Sequence, residues 1–170
     1  TAVLLPTHDD ILNFFDYVCK FEEVNEWRRS YIKQAGRRMP DYEALNQHFE
    51  EHEIPFEYVG SSFGSLDNAG NRNKVIVMTY HSAKGLDFEN VFIPWLTDQI
   101  RIAGKTDALK ETVFMVALTR SRNNLILTYH GDTYHPYLDK FIDEDCVNAF
   151  DIDEELLVSE ETNSKHSTDW

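Results

Sequence analysis

Short unbroken apolar runs alternate along this chain with longer stretches in which apolar residues recur every three or four positions. Ala2-Val-Leu-Leu-Pro6 is an unbroken run closed by proline, the pattern of a buried strand. Ile11, Phe14, Phe15 and Val18 follow at helical spacing, with Thr7 or Asp9 placed to cap the helix. Glu22 to Arg38 is charged, with Trp27 and Tyr31 four apart as its large anchors. This spacing predicts a second helix, broken at Gly36-Arg-Arg-Met-Pro40. Asp41 is suited to cap a further helix carrying Leu45, His48, Phe49 and His52. Ile54 to Val59 predicts a strand approached through Pro55, and the Gly-, Ser- and Asn-rich stretch 60–73 predicts a flexible loop. Lys74–Thr79 and Asn90–Pro94 predict strands, the first apolar enough to sit centrally in a parallel sheet. Thr106–Arg120 predicts a helix and Asn124–Tyr129 another strand. Beyond Phe141 the pattern weakens. Glu154–Val158 reads as a last strand or a helical turn, and Thr162–Trp170 as a disordered or docking tail.

Strands alternating with helices in this order predict an α/β fold, a parallel sheet flanked by helices. The 170 residues suffice for one domain with a real core. No apolar run approaches the ~20 residues of a membrane helix, and no signal peptide is visible, so a cytoplasmic protein is expected. Cys19 and Cys146 fit neither a metal spacing nor a disulfide framework and are expected to be free thiols. The chain starts without Met and runs at once into a strand, as a piece of a longer protein would. The net charge of −14 argues against this piece alone being a strong nucleic-acid binder. That charge is uneven. From Asp139 onward eleven Asp or Glu stand against two Lys, a balance of −9 that leaves −5 for the rest.

Two segments carry the candidate chemistry. Val75 to Pro94 contains Thr79-Tyr80-His81-Ser82-Ala83-Lys84-Gly85-Leu86-Asp87-Phe88, and Val113 to Arg122 contains Val116-Ala117-Leu118-Thr119-Arg120-Ser121. Each is an apolar run ending in a short polar cluster. Such a run delivers its polar end to the rim of a sheet, where open α/β folds bind ligands. The two segments resemble motifs V and VI of the UvrD/Rep-like superfamily 1 DNA helicases. The family patterns are Thr-x-His-x-Ala/Ser-Lys-Gly-Leu-Glu-Phe and Val-Ala-Leu/Met-Thr-Arg-Ala. Two matches in the right order, separated by a helix-sized spacer, make the resemblance specific.

The resemblance implies a RecA-like (P-loop NTPase-type) fold and the second motor domain of the helicase. That domain would span residues 1–138, followed by an acidic tail at 139–170. Helicases of this type usually carry a large helical insertion before motif V. Here the gap is only 60–73, so a compact version without the insertion is expected. The resemblance also implies roles. Arg120 would be the arginine finger that stabilises charge on the γ-phosphate of ATP. Gly85 and Asp87 would face the nucleotide, and Lys84 a phosphate or a carboxylate of the neighbouring domain. Thr79, His81 and Ser82 would touch single-stranded DNA. Asp87 stands where the family has Glu, one methylene shorter toward a ribose hydroxyl. Arg122 would contact phosphate or solvent. The P-loop Lys and the Mg²⁺ carboxylates belong upstream, on an N-terminal RecA-like domain. The chain alone is therefore expected not to hydrolyse ATP.

Plainer readings stand beside these. Out of context, Arg120 is a surface Arg favourable at a helix end, and His81 a hydrogen-bonded structural His. His48 and His52 lie four apart like a metal face, but no Glu occupies the zincin position between them. Gly104-Lys105-Thr106 imitates the end of a P-loop, yet Gln99 fills its first Gly position, and Thr106 is better read as a helix cap. Phe141-Ile-Asp143-Glu144 imitates a Mg²⁺-binding strand end but belongs to the acidic tail. The main alternative function is a non-catalytic RecA-like interaction module whose acidic tail binds a partner. An unrelated α/β enzyme using His81 as a general base ranks last, for want of a nucleophile and an orienting carboxylate.

Overall fold

Residues 1–34, 36–60, 63–66, 73–140 and 147–150 are described by a computed structural model. The chain divides into two units, Thr1–His135 and Pro136–Trp170. The first holds the sheet. In the second, the described residues include a 3-10 turn at Pro136–Lys140. The tail readings at Glu154–Val158 and Thr162–Trp170, the Asp143-Glu144 pair and Cys146 lie outside the described residues.

The apolar run at the start becomes β1 (Ala2–Leu5), buried on both faces as its composition requires. Thr7 caps α1 (His8–Phe21), its hydroxyl accepting from Asp10 N at 3.2 Å. Asp41 caps α2 (Tyr42–Glu51) in the same way through Ala44 N. β4 (Phe56–Tyr58), β5 (Val75–Thr79), β6 (Phe88–Ile93) and β7 (Ser121–Leu127) complete the sheet. Between β6 and β7 lies α3 (Asp107–Leu118), capped by Thr106 through Leu109 N, so Gly104-Lys105-Thr106 ends in a cap as expected. The sheet order is β4-β5-β1-β6-β7, with every neighbouring pair parallel. Val3, Leu5 and Val77 face α1 and α2, packing with Ile11, Phe15 and Phe49. Alternation sends Leu4, Ile76 and Met78 to the opposite face, and they too are fully buried. This is the expected α/β fold, a parallel sheet flanked by helices. The link from β4 to β5 shows a Gly60–Phe63 bridge and no helix among its described residues. Among the described residues, no helix is long and apolar enough to cross a membrane.

One expected element is wrong. Glu22–Arg38 is not a helix; it contains a two-stranded antiparallel hairpin, β2 (Tyr31–Gln34) and β3 (Arg37–Pro40). α1 stops because Glu23 takes a left-handed backbone, φ 55°, and its amide and the next turn back onto the helix. Glu23 N donates to Lys20 O and Val24 N to Cys19 O, closing a Schellman motif. Gly36, at φ 77°, then lets the chain reverse between the paired Gln34 and Arg37.

Candidate functional site

A parallel sheet has two unlike edges, and the motif residues divide between them. Thr79 is the last residue of β5 and so lies at the carboxyl edge. The chain then folds into a tight turn, with Ala83 N donating to Thr79 O at 3.1 Å and Leu86 N to Ala83 O at 3.1 Å. Tyr80 and Ala83 point inward and are buried, while His81, Lys84 and Gly85 are exposed. The Thr79 hydroxyl is also buried. It accepts from Ser82 N at 3.1 Å and lies 2.9 Å from Ser82 Oγ. Thr79 therefore spends its side chain shaping the turn, and His81 and Ser82 are the groups left facing outward at this edge. The His81 ring has no hydrogen-bond partner among the described residues, so no carboxylate orients it as a general base would require. Gly85 has φ 81°, and no heavy atom lies within 4 Å of where a Cβ would stand. Conformation demands this glycine, and the space beside it is open.

Leu86 and Asp87 carry the chain back to the amino edge, where β6 begins. Arg120 stands at the same edge, immediately before β7, and Phe88 N donates to Arg120 O at 2.8 Å. The expectation of one shared rim is thus corrected: Thr79, His81 and Ser82 lie at one edge of the sheet, Asp87, Arg120 and Arg122 at the other. The reason is topological. Motif V ends a strand, whereas motif VI ends a helix that feeds the next strand, so its polar end precedes that strand.

The Arg120 guanidinium is mostly engaged. Nε donates to Val116 O at 2.8 Å, Nη1 to Leu86 O at 3.0 Å, and Nη2 to Thr119 Oγ1 at 3.0 Å. Nη1 also lies 3.6 Å from Asp87 Oδ1. Of five N–H groups, this leaves one to offer a ligand. Arg122 Nη2 is 3.4 Å from the other Asp87 oxygen, so one carboxylate stands between two guanidinia. Asp87 and Arg122 are 35 positions apart, and nothing in the sequence signalled their pairing. Lys84 has no ion pair among the described residues. A polyphosphate fits the donor set at this edge, since Arg122 is largely exposed and Arg120 partly so.

The remaining candidates resolve into structure. His48 Nε2 bonds Asn25 O at 2.9 Å and His52 Nδ1 bonds His48 O at 2.8 Å, so each ring is tied to backbone. Among the described residues, no group of three or more His, Cys, Asp or Glu is placed to hold a metal ion. Cys19 is buried in the core, and that burial pushes its thiol pKa up.

Residues 61–132 match the family model of the UvrD-like helicase C-terminal domain. No curated protein matches the chain. Among solved structures, the C-terminal domain of a possible DNA helicase from Lactobacillus plantarum WCFS1 is similar at 16% identity. The match covers 81% of this chain and 77% of that one, with a TM-score of 0.37. Every motif residue from Thr79 to Arg122 lies inside the span matched by the family model, and by its motifs and that match the chain resembles the C-terminal domain of the UvrD-like helicases.

Proposed function

We propose that this chain is the C-terminal motor domain of an ATP-dependent DNA helicase or translocase, working with an N-terminal RecA-like domain of the same parent protein. One observation carries the reading: the motif VI arginine is held beside the motif V carboxylate at the sheet's amino edge, within the family-matched span. When bound, ATP with Mg²⁺ supplies the phosphoanhydride whose hydrolysis drives the cycle, and the metal's ligands belong to the N-terminal domain. Arg120 presents its remaining N–H, and its charge, to the nucleotide's phosphates, with Arg122 beside it as a second cation. Gly85 leaves space for backbone approach, Lys84 is free to pair across the cleft, and Asp87 balances the two arginines. At the carboxyl edge, His81 and Ser82 touch the sugar-phosphate backbone of single-stranded DNA, on a turn that Thr79 shapes. The stretch 80–87 joins the two edges through a hydrogen-bonded turn, so movement at Asp87 and Arg120 is passed to the DNA grip.

A second reading has an observation of its own. Arg120 gives three hydrogen bonds to its own domain, as a purely structural arginine in a non-catalytic interaction module would. Phosphate release by the parent protein, with and without single-stranded DNA, separates the two. Loss of an arginine finger costs on the order of 10³–10⁵ in rate. The motor reading expects the Arg120→Ala parent to lose activity on that scale while remaining folded, and the isolated 170-residue chain to be inactive. An Arg120→Ala parent that melts earlier but hydrolyses ATP normally when folded would leave Arg120 a structural role only.

A further inference from the structure

The strand pairing that replaces the expected helix creates a surface the helicase reading does not use. From Trp27 to Pro40 the sequence holds five Arg or Lys and no Asp or Glu, in a chain of net charge −14. Arg29 is spent: its guanidinium bonds Asp16 and Asn13 on α1 and fixes the root of the hairpin. Lys33, Arg37 and Arg38 are exposed, and none has an ion pair among the described residues. Residues directly opposite in an antiparallel pair share a face. The register Tyr31↔Pro40, Lys33↔Arg38 therefore gathers Tyr31, Lys33 and Arg38 on one side. Ile32, Gln34, Arg37 and Met39 fall on the other. Arg38 stacks on the Tyr31 ring, 4.1 Å from its centroid, and Tyr31 remains 42% exposed.

The hairpin's position matters as much as its charge. Its root is joined to α2, where Asp41 N donates to Ser30 O at 3.0 Å. Tyr42, the next residue, stacks on Tyr58 at the end of β4, and its hydroxyl lies 2.5 Å from His8 Nδ1 just past β1. These contacts place the root at the carboxyl edge of the sheet, the edge that also carries His81 and Ser82.

We propose that the β2–β3 hairpin is a second contact for single-stranded nucleic acid, Tyr31 offering a ring for a base and Lys33 and Arg38 neutralising the flanking phosphates. An exposed aromatic beside cations that have no ion pair among the described residues is the chemistry that holds a single strand irrespective of sequence. It also resolves a tension in the charge: an acidic chain binds a polyanion through a local basic face, not through its net charge. The inference extends the DNA-tracking reading above but rests on different residues.

The test uses fluorescence anisotropy of a labelled oligothymidylate with the 170-residue chain across a salt series. Tyr31→Ala is expected to weaken binding by on the order of 5- to 150-fold, the range for loss of one stacked base. Tyr31→Phe, which keeps the ring, is expected to bind like the native chain. Replacing Lys33 and Arg38 together by Ala is expected to lower affinity and to flatten the log–log salt slope by about 1.4. All four substitutions sit at exposed positions, and thermal melts confirm that each variant is folded. Hairpin variants that bind like the native chain, or a duplex bound equally tightly with Tyr31→Ala neutral, would overturn the proposal. So would no binding by the intact chain. Paired His81→Ala and Ser82→Ala variants keep the two readings apart. Loss confined to the hairpin variants supports the hairpin and rejects the motif V contacts, and loss confined to the motif V variants does the reverse.

Discussion

Tyr80 shows what one residue of motif V gives up to keep its turn in place. Its ring is fully buried, 6.3 Å from that of Phe114 on α3, and anchors the start of the turn just before exposed His81. Its hydroxyl has no hydrogen-bond partner among the described residues, and burial pushes its pKa up. A buried unpaired hydroxyl costs about 1–3 kcal/mol of desolvation, so removing it while keeping the ring relieves strain rather than adding any. Tyr80→Phe is expected to leave stability unchanged or raise it by about 1 kcal/mol in urea melts; a clear loss would reveal a partner for that oxygen. His8 works in the opposite sense, through pH. Burial lowers its pKa from the ordinary value of 6.5, while its ring faces the Tyr42 hydroxyl. The unfolded chain therefore binds the proton more readily than the folded one. Its contribution is present above the unfolded pKa and is lost as pH falls below 6.5 toward the folded value. His8→Gln removes that dependence, so its stability deficit against the native chain is expected to narrow between about pH 7.5 and 5.5. A deficit that stays constant would exclude His8 as the titrating group.

At the scale of elements, both long helices of the N-terminal half end alike. Glu23 after α1 and Glu53 after α2 hold left-handed backbones, φ 55° and 58°. In each case the two amides that follow the helix cap return to carbonyls of its last turn, Glu53 N to Glu50 O and Ile54 N to Phe49 O for α2. Glycine is the usual residue at such a position because a Cβ there costs about 1–2 kcal/mol. Glycine also loses more entropy on folding, so the net gain is smaller. Glu53→Gly is expected to stabilise the chain by about 0.5–1 kcal/mol, read from denaturant midpoints. A destabilised variant would mean that the Glu53 side chain makes a contribution larger than its backbone strain. The same ends decide where the hairpin begins, since α1 must stop at Phe21 for β2 and β3 to form.

Across the whole molecule, the candidate groups divide by edge. The amino edge collects Asp87, Arg120 and Arg122, a set suited to phosphate. The carboxyl edge collects His81, Ser82 and the root of the basic hairpin, a set suited to a nucleic-acid backbone. The stretch 80–87 ties the two edges together. Under the proposed motor reading, this separation is what lets nucleotide and track be gripped at once. The charge follows the same logic, with much of the negative excess after Asp139 and a concentrated positive face between Trp27 and Pro40.

The sequence by itself determined the α/β sheet, because apolar runs as short as Ala2–Leu5 and Val75–Thr79, closed by Pro or polar residues, are too brief for a buried helix and fit interior strands. It also determined the caps at Asp41 and Thr106 and narrowed the first to Thr7 or Asp9, of which Thr7 acts; each such side chain takes an amide three residues away. Motifs V and VI were equally legible, since each is a contiguous string. Three things were decided only by tertiary structure. The end of α1 was invisible because Glu23, not Gly or Pro, takes the left-handed backbone, and so the hairpin was read as helix. The Asp87 pairs with Arg120 and Arg122 join residues more than thirty positions apart, and no local signal encodes them. The division of the site between two edges was hidden for the same reason. A strand's sequence tells which residues end it, but only the parallel order of the sheet decides which ends face the same way.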